Sequence, residues 1–436
     1  MAQGRWFGRL VSRVERTPPL AAFAATMVPG IFLVLASYAL GLNAVKCNAL
    51  KLGYVFEVNW IWNFALWVPA ATAFVFMLVG SARQAVAAMV STRMLVERDG
   101  RSVTPERANR SWNDIFVRYM SWAAVIALLG FLWSYWEGYG FIVVPQSERC
   151  GWFTASAPGA ATLHPVSRVG NVVFGFLAYT MQGVGIAVFV LYFFTVIAFS
   201  VWIYRFTSDS EEVELLLDTT SDDRRLGFQA LEPVVLSMLC AGLAFFCVFF
   251  VTRIHFLFIS QTAHTDVYDF GASELLWGMV TDISKSFKPG ERADIFTVGN
   301  LTDMSPMISA LALAADVALS LIVPLAVLRQ VAQRSCARHA MFLSQDDARV
   351  VGPDQPAPAD QRARLERMRV WPVDYPKEVL LIVFGLTAAF AFLFYRLTFV
   401  LLATLFVASF KVVWRLGRGI DRADKSTAAA NSPPSG

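Results

Sequence analysis

A single carboxylate interrupts one of the long apolar stretches of this sequence. Asp316 lies eight residues into the stretch 308–328, among Ala314, Ala315 and Ala318, and such small residues let a neighbouring helix approach closely. An ionisable group at membrane depth is costly, and it normally faces the interior of a helix bundle. We expect this carboxylate to be protonated or paired with a cation. Asp316 is therefore the first candidate for proton or cation binding.

Other ionisable residues lie near the predicted span ends and are candidate partners of Asp316. Arg253 and His255 lie at one end of the apolar stretch 233–256, Glu137 lies near the end of the third stretch, and Arg396 lies near the middle of the last one. Two interpretations fit this set. Asp316 binds a proton or cation in a transporter or channel, or an Asp–Arg pair locks the helices together.

The cysteines differ in the side of the membrane on which we expect them. Cys47 and Cys150 fall in loops predicted to face outward, Cys240 and Cys247 lie within an apolar stretch, and Cys336 lies in a basic connector. Because only the first two share an oxidising compartment, the sequence predicts a Cys47–Cys150 disulfide. Cys240 and Cys247 are predicted to be small apolar packing residues.

Two connectors of opposite charge are candidates for docking against each other. An acidic segment follows the fourth apolar stretch, and a basic segment follows a Pro-rich linker near residue 355. The alternative is that both are solvated faces, since exposed ion pairs contribute about 1 kcal/mol or less each. The residues of the docking hypothesis are Glu211, Glu212 and Glu214 on one segment and Arg362, Arg364 and Arg367 on the other.

No residue pattern indicates catalysis or a bound cofactor. The four histidines are not paired at metal-ligand spacing, and the sequence has no Gly-rich phosphate loop or nucleophile motif. His264, Asp266 and Asp269 are the nearest approach to a metal cluster, but they lack the His or Cys density of a zinc site. We predict no catalytic residue, no cofactor, no metal and no nucleic-acid partner.

The elements that must position these residues are long helices, because apolar stretches recur along the chain. A hydrocarbon core about 30 Å thick needs roughly 20 helical residues to cross it. Composition agrees, with 56% hydrophobic and 16% charged residues and a mean hydropathy of +0.52. These values exclude a water-soluble protein, and stretches that are apolar on every face exclude a β-barrel.

The sequence predicts an all-α, polytopic membrane bundle of eight spans with both termini cytoplasmic. The alternative is seven spans, because the last apolar stretch would be about 55 Å long as one helix. Two spans that turn near Arg396 would instead return the basic tail to the cytoplasm. The predicted spans are 20–42, 58–80, 119–140, 172–204, 233–256, 308–328, 378–394 and 397–414.

Basic residues set the predicted orientation. Connectors 81–118, 205–232 and 329–377 are rich in arginine and should be cytoplasmic, whereas the loop 260–305 should face outward. Two terminal segments complete the prediction: an amphipathic helix over residues 1–19, on the inner leaflet, and a disordered tail over 415–436. We expect a multi-pass protein of a bacterial cytoplasmic (inner) membrane. We expect it to contact a bilayer with an anionic inner leaflet. Its expected protein partner is a membrane or cytoplasmic protein, or a second copy of the chain.

Three local signals predict finer features. Ser111 and Asp114 have capping-box spacing, which predicts that a helix starts just before the third span. The fourth stretch would be about 50 Å long as one helix, so it must tilt, protrude or break near Gly183 and Gly185. We expect one crossing with an irregular outer part. Tryptophans near the span ends, Trp202 among them, are predicted to anchor at the headgroup level.

Two function classes fit these features. A membrane-embedded scaffold or sensor subunit is favoured by the scarcity of polar residues along most spans, and it predicts a dry, closely packed bundle. The alternative is an ion- or proton-coupled transporter or channel that uses Asp316, which predicts a water-accessible path to that carboxylate.

Overall fold

The described residues belong to one unit of the chain. In the computed structural model these residues are 17–40, 46–47, 50–51, 63–97, 100–142, 165–206, 213–220, 226–260, 316, 323–345 and 355–368. They fall within the unit Met1–Val267 with Ser273–Val373. The other unit, Tyr268–Ala272 with Asp374–Gly436, lies outside the described residues.

Helices dominate the described part of the chain. The α-helices are α1 (Pro19–Ala39), α2 (Val68–Ser91), α3 (Pro105–Ile142), α4 (Pro165–Arg205), α5 (Glu232–Ser260), α6 (Val323–Ser344) and α7 (Pro358–Glu366). A π-helical turn, Asn63–Trp67, leads into α2, and a 3-10 turn, Phe228–Leu231, leads into α5. The prediction of an all-α chain needs a small correction, because two antiparallel strand pairs are present. These are β1 (Lys46–Cys47) with β2 (Leu50–Lys51), and β3 (Leu95–Glu97) with β4 (Val213–Leu215).

Within the described part of the chain, five helical segments are long and apolar enough to span a membrane, and they overlap the first five predicted spans. That part of the prediction is confirmed. Of the predicted sixth span, Asp316 and residues 323–328 are described, and both are helical. The last two predicted spans lie outside the described residues, so the count of eight and the orientation stay predictions. The five segments are Pro19–Ala39, Asn63–Ser91, Pro105–Trp136, Val172–Arg205 and Phe228–Phe249.

Helices α2 and α5 form the centre of the described bundle. They pack along each other, α1 packs on α2, and α3 packs along α4. The backbones of α1 and the π-helical turn approach so closely that a Cβ on Gly30 would lie 2.0 Å from the Phe64 carbonyl oxygen. The outer faces of α1 and α3 expose large apolar side chains such as Phe32 and Trp122. These faces have the composition of a surface in contact with lipid.

Buried polar side chains within the bundle bond from helix to helix. The Ser81 and Ser237 hydroxyls lie 3.3 Å apart between α2 and α5. The Tyr192 hydroxyl donates to the Met238 carbonyl, 3.3 Å away, and so joins α4 to α5. The Ser134 hydroxyl donates to the Tyr179 carbonyl across 2.6 Å and joins α3 to α4. Hydrocarbon offers no alternative partners, so these bonds favour one packing of the helices.

The start of the third helix differs from the sequence prediction. Helix α3 begins at Pro105, and the Thr104 hydroxyl accepts a hydrogen bond from the Arg107 backbone N–H at 3.3 Å. Ser111, the predicted cap, lies two turns inside the helix. Thr104 followed by Pro105 is itself a cap residue with a first-turn proline, so the sequence carries a start signal seven residues before Ser111.

A break near Gly183 and Gly185, one of the three possibilities for the fourth stretch, is wrong, and so is the irregular outer part. Helix α4 runs without interruption from Pro165 to Arg205. A Cβ on Gly183 would lie 2.6 Å from the Phe131 ring, and one on Gly185 would touch Val68. These glycines provide space for the neighbouring helices α3 and α2, and they do not interrupt α4.

Trp202 is a core residue, which corrects its predicted role as an interfacial anchor. Its indole is fully buried, and it packs edge-on against Trp112 with the ring centroids 6.0 Å apart. The indole N–H has no hydrogen-bond partner among the described residues. Phe199 and Phe206 lie against the same ring. Packing, and not an interfacial hydrogen bond, therefore places this tryptophan.

Candidate functional site

Asp316 is buried in the bundle, as its sequence context predicts. Its exposed fraction is 0%, and the carboxylate lies close enough to the Cys247 thiol of α5 for the two groups to interact electrostatically. The neighbouring Val248 carbonyl accepts a hydrogen bond from the Asn63 side-chain amide at 3.4 Å. The polar groups of Asp316 and Asn63 thus approach the same part of α5.

The predicted partners of Asp316 are only partly described. Arg253 and His255 are helical residues of α5, and Glu137 is a helical residue of α3, but their side chains lie outside the described ones. Arg396 lies outside the described residues altogether. A pairing of Asp316 with any of these groups stays a prediction.

A second polar cluster joins the connectors at the end of the bundle where α2 ends and α3 begins. We call it the junction, and it consists of Thr219, His339, Gln355, Gln361 and Arg364. Thr219 follows β4, His339 lies on α6, and Gln361 and Arg364 lie on α7. Two connectors that are far apart in the sequence, 205–232 and 329–377, therefore meet at one place.

The local sequence explains why these elements form. Helix α7 starts with Pro358 in its first turn, carries Asp360 there and has Arg364 in its last turn, in agreement with the helix dipole. Strand β4, with the sequence Val-Glu-Leu, lies within the acidic segment, and all three of its side chains are buried. The Leu216 N–H donates to the Met94 carbonyl across 2.8 Å, which extends the pairing of β3 with β4.

Gln361 is the centre of the junction. It has no exposed surface, and its amide nitrogen donates to the Pro356 carbonyl at 2.9 Å. Its amide oxygen lies 3.1 Å from His339 Nε2 and accepts from the Thr219 hydroxyl at 3.1 Å. The Gln355 side-chain oxygen lies 2.8 Å from the same hydroxyl. One amide therefore links α6, α7 and the segment after β4.

This network assigns the protonation of His339. Because the Gln361 oxygen is the acceptor, the proton of a neutral imidazole resides on Nε2. Nδ1 has no hydrogen-bond partner among the described residues. Burial lowers the pKa of His339 below its ordinary value, and the Gln361 hydrogen bond opposes that shift in part. The junction as described thus holds a neutral histidine. Nearby on α6, burial raises the pKa of the Cys336 thiol.

The two segments of the docking hypothesis come together, and their described contacts use main-chain carbonyls. Arg364 donates to the Thr219 carbonyl at 2.9 Å, and Arg362 donates to the Leu343 carbonyl at 3.3 Å. Glu214 is buried within β4, and Arg367 is exposed after the end of α7. Glu211 and Glu212 lie outside the described residues. Ion pairing between the two charge clusters stays a prediction.

The remaining sequence candidates concern cysteines and metal ligands. Cys47 lies in β1, with its side chain outside the described ones, and Cys150 is also outside them, so their disulfide stays a prediction. Cys240, Cys247 and Cys336 are free thiols. Within the described residues no group of three His, Cys, Asp or Glu side chains could hold a metal ion.

Sequence reasoning missed the junction because its members carry no motif. Thr219, His339 and Gln361 are single polar residues in three separate segments of two connectors. The detectable signal was apolar: Leu95 and Val96 in one connector and the run from Leu215 to Leu217 in another are unusually apolar for solvated loops. Comparison with protein-family models, with curated proteins and with solved structures finds no match for this chain.

Proposed function

We propose that this chain is a non-enzymatic integral membrane protein that acts as a scaffold or sensor subunit. The observation that carries the proposal is the junction, in which one buried amide links three segments that belong to two connectors. A group of this kind couples the positions of the helices that lead into it. A change in the membrane-embedded helices would reach the connectors as a change in these contacts.

Two contacts connect the membrane helices to α6. The Arg334 guanidinium donates to the Tyr204 hydroxyl of α4 at 2.8 Å, and Arg338 donates to the Phe206 carbonyl at 3.3 Å. Since α6 also carries His339, a displacement of the end of α4 acts on the junction through a single helix. The partner of the scaffold would be a protein, or a second copy of this chain, that contacts the connectors.

The interior of the described bundle supports this role over transport. Ser81, Tyr192 and Ser134 bond to neighbouring helices, and the central helices α2 and α5 are mostly buried. Transport needs a rearrangement that opens a path through the centre of the bundle, whereas a scaffold keeps these central contacts and a sensor needs only a displacement of the helix ends.

The alternative function is an ion- or proton-coupled transporter or channel. The specific observation that favours it is the buried carboxylate of Asp316 beside Cys247. A carboxylate at this depth is a site for a proton or a cation if water reaches it.

Thiol labelling distinguishes the two functions with the native cysteines. The intact protein in vesicles is treated with a small, charged, water-soluble thiol reagent, and the labelled sites are identified by mass spectrometry. A scaffold predicts that Cys247 is protected as strongly as Cys240, while the half-exposed Cys336 reacts and serves as the positive control. Fast labelling of Cys247, together with ion flux that Asp316→Asn abolishes, would establish the transporter and overturn the scaffold.

We further propose eight spans, both termini in the cytoplasm and a location in a bacterial inner membrane, following the distribution of arginines. A reporter fused after Gly436 tests this topology. The proposal requires the reporter to be active on the cytoplasmic side. Activity only on the outer side would leave seven spans.

A further inference from the structure

We propose that the C-terminal end of α4 and the adjacent middle part of α6 form a binding site for the phosphate of an anionic phospholipid, with Arg334 as its main ligand. This inference needs the membrane location but does not depend on a scaffold role. It is carried by the pairing of Arg334 with Tyr204 and by the charge of the two helices.

Tyr204 holds the Arg334 side chain in place. The guanidinium carbon lies 5.1 Å from the centroid of the Tyr204 ring, and one of its nitrogens donates to the Tyr204 hydroxyl at 2.8 Å. Arg334 is exposed and Tyr204 is 36% exposed. A guanidinium has five N–H donors, so others remain for an oxyanion. A fixed, planar guanidinium suits two-point contact with a phosphate.

The position along the chain is that of a lipid headgroup. Tyr204 and Arg205 end the fourth apolar helix, and Arg329 follows directly after the predicted sixth span. Arg334 lies six residues beyond Leu328, or about 9 Å along a helix. The headgroup layer extends roughly 5–7 Å beyond the hydrocarbon on each side, and a long arginine side chain can reach back toward it.

The two helices that form the site carry a positive charge. Residues 172–206 and 323–345 contain no aspartate or glutamate, whereas they contain Arg205, Arg329, Arg334 and Arg338. Arginines near an anionic leaflet are attracted to it by about 1 kcal/mol each. The phosphate of an anionic phospholipid is the oxyanion that the bilayer supplies at this depth, and we therefore assign the site to it and not to a free phosphate.

Lipid retention tests the assignment. The intact protein is reconstituted in phosphatidylcholine nanodiscs with added phosphatidylglycerol, and the bound lipids are counted by native mass spectrometry. We expect the preference for phosphatidylglycerol to fall about fivefold in Arg334→Gln. Tyr204→Leu should produce a smaller fall, since it removes the group that positions the guanidinium. Arg334→Lys keeps the charge but not the planar fork, and it should lie between wild type and Arg334→Gln.

A matched control removes the same charge elsewhere. Arg101→Gln alters an exposed arginine between β3 and α3, and it should leave the lipid preference unchanged. Equal losses in Arg101→Gln and Arg334→Gln would show that net charge alone attracts the lipid, and they would overturn the site. Displacement of phosphatidylglycerol by inorganic phosphate at matched concentration would likewise overturn the assignment to a lipid. Unchanged helical circular dichroism of the variants excludes misfolding as the cause.

Discussion

Replacing Gln361 with leucine should open the junction locally. Leucine is close in size, so the main loss is polar. His339 Nε2–H would remain buried without its acceptor, at a cost of about 1–3 kcal/mol. The Pro356 carbonyl would lose its donor but is only half buried, and the Thr219 hydroxyl keeps Gln355. The expected total is about 2–3 kcal/mol of local stability.

Hydrogen exchange measures this loss directly. Peptides that cover α7 should exchange roughly 30 to 150 times faster in Gln361→Leu, because each 1.4 kcal/mol changes the open population tenfold. Peptides from α2 should be unaffected, since α2 lies in the bundle. Gln333→Leu, at an exposed position of α6, is the control and should change exchange by no more than about twofold. If α7 exchanges at the wild-type rate in Gln361→Leu, the amide does not hold the connectors together and the reasoning is refuted.

Three further predictions concern single residues of the same region. The stability of α7 docking should fall as the pH drops below about 6.5, because the pKa of His339 is lowered in the docked state and the undocked state therefore binds the proton first. The hydrogen-exchange rate of α7 should depend on pH in this way in the wild type and less steeply in His339→Asn. Equal pH dependences in the two proteins would contradict the prediction. Gly227→Ala should lower the free energy of unfolding by about 2–3 kcal/mol, since Gly227 has φ +94° and the new Cβ would lie 2.6 Å from the Met94 sulfur. An unchanged denaturation midpoint would contradict this. Arg93 adopts φ 56° in the turn that ends α2. Arg93→Gly should therefore be neutral or stabilise the fold by about 1 kcal/mol, whereas Arg93→Val should destabilise it. The same shift in melting temperature for both variants would argue against strain at this position.

The sequence was informative about the helices that cross the bilayer. Charge-free stretches such as 20–42 and 172–204 must satisfy their backbone groups internally, so their helical structure follows from length and composition. The same reasoning placed Asp316 in the interior. These predictions succeed because each depends on one contiguous segment.

The sequence was less informative wherever distant segments meet. Charge alone predicts either solvated faces or docking through ion pairs for the arginine-rich connectors. In the structure Arg364 instead contacts a main-chain carbonyl, which no sequence pattern marks. Glycines in α4 and the indole of Trp202 were misread for the same reason. Gly183 is explained by the ring of Phe131, a partner on another helix.

The pairing of β3 with β4 also constrains the order of events during synthesis. Leu95 pairs with Leu215, about 120 residues later, and at about 5–20 residues per second the ribosome needs roughly 6–24 s to produce that partner. During this interval Met94, Leu95 and Val96 are exposed at the membrane surface as an apolar segment. Completion of the fourth span ends this period, so a nascent chain stalled before residue 213 presents a surface that chaperones and proteases recognise.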